Sequence, residues 1–178
     1  MARQKTREKV HAAVLSLARE NQVGTITMEG IAARASVSKQ TLYRTWSSTG
    51  GILFDALLAR STDDDGVVLV PDSGDLAIDL EALAAGTIAE LTDPAQEPLL
   101  RAVTAELQFN EGLAAQFRSR LLGPQLAAIS HRLSEGGVTH PDDTAELFVG
   151  AIFHRWLLRT RPFDAEWVAN HVRRVLEH

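Results

Sequence analysis

The segment at residues 25–46 has the sequence TITMEGIAARASVSKQTLYRTW, which predicts two short helices joined by a tight turn. Thr27 is a suitable N-cap for the first helix, because its hydroxyl can accept a hydrogen bond from a backbone N–H that the helix leaves unpaired. Ser38 can cap the second helix in the same way. That helix then begins with small polar and basic side chains, which suit a helix entering the major groove of DNA with its leading end.

The apolar residues of this segment predict which sides of the two helices face inward. Ile26 with Ile31, and Val37 with Leu42, flank the two caps at the spacing of hydrophobic staples. The second helix has too few apolar positions to be a core helix, so its polar side chains are expected to face outward. These side chains are Lys39, Gln40, Thr41, Tyr43 and Arg44. An ordinary helical hairpin on the surface of an all-α protein is the alternative.

The surroundings of the segment favour nucleic-acid binding. Residues 10–18 place apolar side chains at helical spacing and supply the third helix that a small helix-turn-helix domain needs. Residues 1–60 hold nine Lys or Arg and four Asp or Glu, a balance of +5, whereas residues 61–178 hold nine and nineteen, a balance of −10. The N-terminal part of the chain is therefore basic, although the chain as a whole is acidic. Beside the motif, the basic residues Arg3, Lys5, Arg7 and Lys9 predict an arm that seeks phosphates rather than a solvated tail.

The block at residues 26–46 resembles the N-terminal domain of the TetR family of bacterial transcriptional regulators. The resemblance rests on Thr27, the run Ile-Ala-Ala, the pattern Ala-x-Val-Ser and the pattern Leu-Tyr-x-x-aromatic, which occur in that family's order. The resemblance implies an all-α homodimer whose N-terminal domains bind a palindromic operator in double-stranded DNA and whose C-terminal domains dimerise and bind a small-molecule effector. We expect the helix-turn-helix domain at 1–50, a linking helix at 51–61 and the effector-binding and dimerisation domain at 62–178.

The resemblance also implies roles for individual residues. The expected readers of base edges are Lys39, Gln40 and Thr41. The neighbouring positions are expected to contact the phosphate backbone of DNA or to cap helices. The full expected DNA-binding set is Thr27, Ser38, Lys39, Gln40, Thr41, Tyr43, Arg44 and Thr45. Trp46 matches an aromatic position that packs the domain. Two departures stand out: Ser36 occupies the turn where the family has Gly, and Thr49 stands where it commonly has a phosphate-binding Lys. The following Gly50 and Gly51 are expected to loosen the start of the next helix.

The rest of the chain is predicted to be helical, with a linker or loop at 61–66. Helices are expected at 52–60, from about 75 to 91, 95 to 109, 111 to 135, 141 to 160 and 164 to 177, with an interruption at Gly123 and Pro124. The 178 residues include no cysteine and no apolar run long enough for a membrane span. We expect a bacterial cytoplasmic protein with no cofactor, no metal and no membrane partner.

The C-terminal half contains candidates for two further sites. The last two predicted helices are more apolar than one packed face requires, which indicates dimerisation rather than a fully buried core helix. The expected interface residues are Phe148, Ile152, Trp156, Trp167 and Val172. An effector site is expected among apolar side chains with a few polar anchors. Its candidates are Leu100, Val103, Leu107, Phe117, Leu121, His131 and His154.

Two rival functions remain open at this point. An enzyme is disfavoured because the chain has no Gly-rich phosphate loop, no G-x-S-x-G, no HExxH and no Cys nucleophile. A DNA-binding protein without a ligand would be distinguished by a closed, fully packed C-terminal core. The favoured hypothesis is a repressor that an effector releases from its operator by shifting the population between two dimer geometries, with an activator or an unliganded regulator as the alternative.

Overall fold

The computed structural model describes residues 2–20, 26–61 and 70–177, and within those ranges it contains helices and no strand. This confirms the all-α fold. The helices are α1 (Ala2–Glu20), α2 (Met28–Ala35), α3 (Lys39–Thr45), α4 (Thr49–Ser61), α5 (Leu76–Thr92), α6 (Glu97–Leu107), α7 (Glu111–Phe117), α8 (Gly123–Glu135), α9 (Pro141–Leu158) and α10 (Ala165–Leu176). Nearly all of the predicted linker at 61–66 lies outside the described residues.

The chain divides into two compact units that differ from the boundaries expected from the sequence. Unit 1 comprises residues 1–66 and 94–118, and unit 2 comprises 67–93 and 119–178. Residues 94–118 group with the N-terminal helices because α6 packs on α1 and α4, and α7 packs on α4. The expected functional division into a DNA-binding part and an effector-binding part stays a prediction.

The core of unit 1 forms around α1, as its apolar spacing predicted. The five apolar positions of its stripe are all buried: Val10, Ala13, Val14, Leu17 and Ala18. They contact α2 and α4, and the aromatic rings of Phe54 on α4 and Phe117 on α7 lie 5.9 Å apart. This packing holds the two short helices of the motif on a fixed support.

Gly50 has a packing role that the sequence did not predict. A Cβ at this position would lie 2.9 Å from Leu113 Cδ2 and 3.0 Å from Glu106 Oε2, so the ends of these two side chains would have to shift to accommodate it. The missing side chain therefore lets α4 lie directly against α6 and α7. The start of α4 is also secured, because the backbone N–H of Gly51 donates to Ser48 Oγ at 3.1 Å. The expectation that Gly50 and Gly51 loosen this helix start stays a prediction.

Unit 2 packs α5, α8, α9 and α10 together. Asp75 caps α5 by accepting from the backbone N–H of Ala77 at 2.9 Å. The interruption predicted at Gly123 and Pro124 lies earlier in the chain, as a π-helical segment at Arg118–Leu122, and Gly123 and Pro124 lie in the first turn of α8. Arg132 of α8 donates to the fully buried Asp79 of α5, with its terminal nitrogen 2.6 Å from Oδ2.

The predicted dimer-interface residues are mostly core residues of unit 2. Phe148, Ile152, Trp156 and Val172 are at most 3% exposed, so for these four the expectation is wrong. Trp167 is half-buried and stacks on His171, with the ring centroids 4.9 Å apart. The apolar residues that α9 leaves exposed are Leu147, Leu157 and Leu158. The sequence correctly predicted more apolar residues on α9 than one packed face requires. It did not predict which side of α9 remains exposed.

Candidate nucleic-acid interface

The two caps of the motif form as the sequence predicted. The Thr27 hydroxyl accepts from the backbone N–H of Gly30 at 3.1 Å, and the Ser38 hydroxyl accepts from that of Thr41 at 3.1 Å. Between the two helices, Ser36 adopts the left-handed conformation, with φ at 55°. The next backbone N–H, that of Val37, donates to the carbonyl of Ala32 at 3.0 Å and completes a Schellman turn. A non-glycine residue in this conformation costs about 1 kcal/mol, so the turn is strained.

The orientation of α3 follows from a single buried side chain. Leu42 is fully buried beneath the helix, and no other residue of α3 is buried. The Thr41 hydroxyl lies 2.8 Å from that of Ser38 and is half-buried. The remaining expected contact residues on this helix are exposed: Lys39, Gln40, Tyr43, Arg44 and Thr45. The helix therefore presents one continuous polar face.

Glu29 on α2 contacts one of the expected base readers. Its Oε1 lies 2.9 Å from Lys39 Nζ, and the ammonium lowers the pKa of the Glu29 carboxyl. Both side chains are more than half exposed. Ion pairs in water are weak, so Lys39 can exchange Glu29 for an acceptor on DNA. The sequence indicated neither the pair nor a place for Glu29 in the site.

Asp55 on α4 joins α1 to the end of α3. Its Oδ2 accepts from Arg7 Nε at 2.8 Å, from His11 Nε2 at 2.9 Å and from Trp46 Nε1 at 3.1 Å. A terminal nitrogen of Arg7 also donates to Oδ1. Burial alone would raise the pKa of Asp55, but the hydrogen bonds from His11 and Arg7 outweigh it and hold that pKa well below its usual value. Trp46 is buried, which confirms its expected packing role.

A groove of about 540 Å³ lies in unit 1 between the first turns of α1 and the C-terminal part of α3. Its lining residues are Gln4, Thr6, Arg7, Thr41, Arg44, Thr45 and Trp46. Arg44 forms no ion pair within the described part of the chain. The predicted basic arm is helical here, because residues 2–20 form one helix. The helix-turn-helix motif identified the α3 side of this groove, and the predicted basic arm included Arg7 on the α1 side.

The structure distributes the expected effector-site residues over both units. Leu100, Val103, Leu107 and Phe117 belong to unit 1, whereas Leu121, His131 and His154 belong to unit 2. Both histidines are exposed, and His131 Nε2 lies 3.7 Å from Glu135 Oε1. Exposure argues against these two as anchors inside an enclosed cavity. Within the described ranges, no group of three His, Asp or Glu side chains is arranged to hold a metal ion.

Comparison with known proteins identifies the family. Residues 70–175 match the family described as "Tetracyclin repressor-like, C-terminal domain". Among curated proteins, the chain is 28% identical over 162 residues to the uncharacterized HTH-type transcriptional regulator YdeS of Bacillus subtilis, covering 85% of this chain and 80% of that protein. It is 36% identical over 93 residues to the HTH-type transcriptional regulator AqdR of Rhodococcus erythropolis, covering 52% of this chain and 42% of that one.

Solved structures show the same fold. The crystal structure of the TetR family transcription regulator SCO0332 superposes with a TM-score of 0.70 at 26% identity and covers 97% of each chain. NalD, the secondary repressor of the MexAB-OprM multidrug efflux pump in Pseudomonas aeruginosa, has a TM-score of 0.69 at 19% identity, covering 98% of this chain and 96% of that chain.

The matched family and relatives are transcriptional regulators rather than enzymes. In the ranges that the structure describes, no helix has the length and apolar character needed to cross a bilayer. Family members bind DNA through the N-terminal motif and typically dimerise. The match over the C-terminal helices, together with the capped motif at α2 and α3, means that the chain belongs to the TetR family of helix-turn-helix transcriptional regulators.

Proposed function

We propose that this protein is a repressor that binds a palindromic operator as a homodimer and leaves it when a small-molecule effector binds. The observation that carries the DNA-binding part is the orientation of α3, with Leu42 buried below and an exposed polar face above. A helix of this kind, held by one apolar contact and two caps, can enter a major groove without uncovering the core.

The proposed base readers are Lys39, Gln40 and Thr41, in the first turn of α3. An ammonium suits the O6 and N7 acceptors of guanine, and a Gln amide suits the N6 and N7 pattern of adenine. Residues around them supply hydroxyl groups and one guanidinium for phosphates, which fix the position of the protein on the duplex. The proposed phosphate contacts are Thr27, Ser38, Tyr43, Arg44 and Thr45.

Dimerisation is proposed through the exposed side of α9. Leu147, Leu157 and Leu158 are 54%, 43% and 60% exposed, and helical spacing places them on one side of the helix together with Gly150 and His154. A Cβ on Gly150 would meet nothing within 4 Å, so packing within the chain does not explain this glycine. A second copy of α9 lying across the same side would cover the leucines and could approach closely at Gly150.

Release by an effector is proposed to act through α4. A ligand that binds the geometry unsuited to the operator would shift the population away from DNA. The contact at Gly50 supports this route, because Leu113 on α7 and Glu106 on α6 lie against the first turn of α4. A movement of α6 or α7 would therefore be transmitted to the helix that follows the recognition helix.

The test compares three variants on a duplex that the wild-type protein selects from a random pool. Arg44→Ala is expected to weaken binding to all sequences and to reduce the slope of log K against log salt by about one. Gln40→Ala is expected to change the preferred base at one position, by about 1–3 kcal/mol. Arg174→Ala, which removes an exposed cation from α10, is the charge-matched control and should bind like the wild type. Wild-type binding by both Arg44→Ala and Gln40→Ala would show that α3 is not the reader.

A further inference from the structure

We infer that the groove between α1 and α3 binds one phosphate of the DNA backbone. Asp55 is then the positioning residue that holds Arg7 in place in one wall of this groove. This inference rests on the proposed DNA binding and extends the contact surface from the helix-turn-helix motif to α1. It also assigns a role to a carboxylate on α4, a residue type that would ordinarily be expected to repel DNA.

The lining of the groove has the chemistry of an anion site. One wall consists of Gln4, Thr6 and Arg7 from α1, and the opposite wall contains hydroxyl groups and a guanidinium from α3. Amide, hydroxyl and guanidinium groups are the donors that proteins commonly direct at phosphate oxygens. No carboxylate is among the lining residues, and Arg44 supplies a cation that no described residue pairs.

Arg7 is held so that part of its guanidinium remains available. The guanidinium has five N–H donors in a planar fork, and the two hydrogen bonds to Asp55 engage Nε and one terminal nitrogen. The Arg7 side chain is 51% exposed, whereas that of Asp55 is 18% exposed. One edge of the fork is thus fixed in the protein, while the half-exposed Arg7 side chain lines the groove.

Asp55 is itself fixed from several directions. Its carboxylate also accepts from His11 on α1 and from the indole of the buried Trp46, which ends α3 and forms part of the groove lining. The same carboxylate therefore determines the position of both walls relative to α4. Holding Arg7 in place before DNA arrives reduces the side-chain entropy lost on binding.

The experiment measures affinity and salt dependence by fluorescence anisotropy on the duplex selected by the wild-type protein. Arg7→Ala is expected to lose about tenfold in affinity for every sequence and about one unit of salt slope. Asp55→Asn is expected to weaken binding severalfold, although removing a negative charge would by itself strengthen it. In the Arg7→Ala background, Asp55→Asn should have little further effect, because Asp55 acts through Arg7.

Glu20→Gln is the matched control for Asp55→Asn. Glu20 is also a carboxylate of unit 1 paired with an arginine, since its Oε2 lies 2.6 Å from a terminal nitrogen of Arg34, but it does not line the groove. Glu20→Gln should leave the affinity unchanged or slightly higher. If thermal melting shows that Asp55→Asn is unfolded, Arg7→Lys takes its place. That variant keeps the charge but cannot engage Asp55 and a phosphate as a planar fork, and it should lose most of the contact.

Two results would overturn the inference. Asp55→Asn binding more tightly than Glu20→Gln would mean that Asp55 withholds Arg7 from DNA instead of positioning it. Arg7→Ala with wild-type affinity and salt slope, while Arg44→Ala is weakened, would remove the groove as a phosphate site and leave the proposed function intact. Failure of the wild-type protein to enrich any duplex would instead refute the proposed function itself.

Discussion

The helices α3 and α9 are held in place in opposite ways. The seven residues of α3 include one buried side chain, Leu42, whereas the eighteen residues of α9 include five and still leave three leucines exposed. The orientation of α3 is determined by caps and a turn encoded within a few residues of it. The orientation of α9 is determined by its packing against three other helices, α5, α8 and α10, of which α5 lies far away in the chain. Local sequence therefore predicts the polar face of α3 but not the free face of α9.

The largest effect is expected from the buried side of α9. Phe148→Ala should lower the free energy of unfolding by about 3–5 kcal/mol, because Phe148 is 1% exposed and its removal leaves a cavity beside His171. Leu158→Ala, on the exposed side, should cost far less. Urea unfolding at matched protein concentrations measures both changes. Equal losses for the two variants would show that the two sides of α9 are not distinguished by burial.

The exposed side of α9 should control association rather than folding. Leu147→Glu combined with Leu158→Glu is expected to weaken the dimer by 100-fold or more, about 3 kcal/mol, while the helical circular dichroism stays unchanged. Sedimentation velocity measures the association. Ile78→Glu, which charges an equally exposed apolar residue on α5, is the control and should remain dimeric. A monomeric control or a dimeric double variant would place the interface elsewhere.

The sequence predicted the features of this molecule that depend on nearby residues and missed those that depend on distant ones. It predicted the all-α fold and the caps at Thr27 and Ser38, because each depends on neighbours in the chain. It did not predict the partners of Asp55, which lie 44 and 48 residues away at His11 and Arg7. Apolar periodicity likewise does not indicate which of two apolar sides of a helix its neighbours will cover.

The adjacent glycines of α4 allow a closely packed position to be compared with an open one at two consecutive residues. Gly50→Ala should be less favourable than Gly51→Ala, because its Cβ would lie 2.9 Å from Leu113 Cδ2 and the ends of the Leu113 and Glu106 side chains would have to shift. Gly51→Ala should stabilise the protein by up to about 1 kcal/mol, since a Cβ there meets only Ser48 Oγ at 3.6 Å and alanine favours the helix. Thermal unfolding measures both. Equal stabilisation by Gly50→Ala and Gly51→Ala would refute the close packing of α4 on α7.

The smallest effect is expected where a helix ends in a left-handed residue. Ser36 after α2 and Arg159 after α9 have φ values of 55° and 51°. Ser36→Gly and Arg159→Gly should each raise the free energy of unfolding by about 0.5–1 kcal/mol, because glycine adopts this conformation without strain. The measurement is the urea midpoint at unchanged m-value. A loss of stability at Ser36 would mean that its side chain contributes more than the strain costs.

The central claim is that two α3 helices, linked through α9, read one operator. Its most direct test is the selection of bound duplexes from a random DNA pool by the full-length wild-type protein. The account predicts enrichment of an inverted repeat whose half-site centres lie about 34 Å, or a multiple of that distance, apart. Enrichment of a single unrepeated site, or of no site, would contradict it.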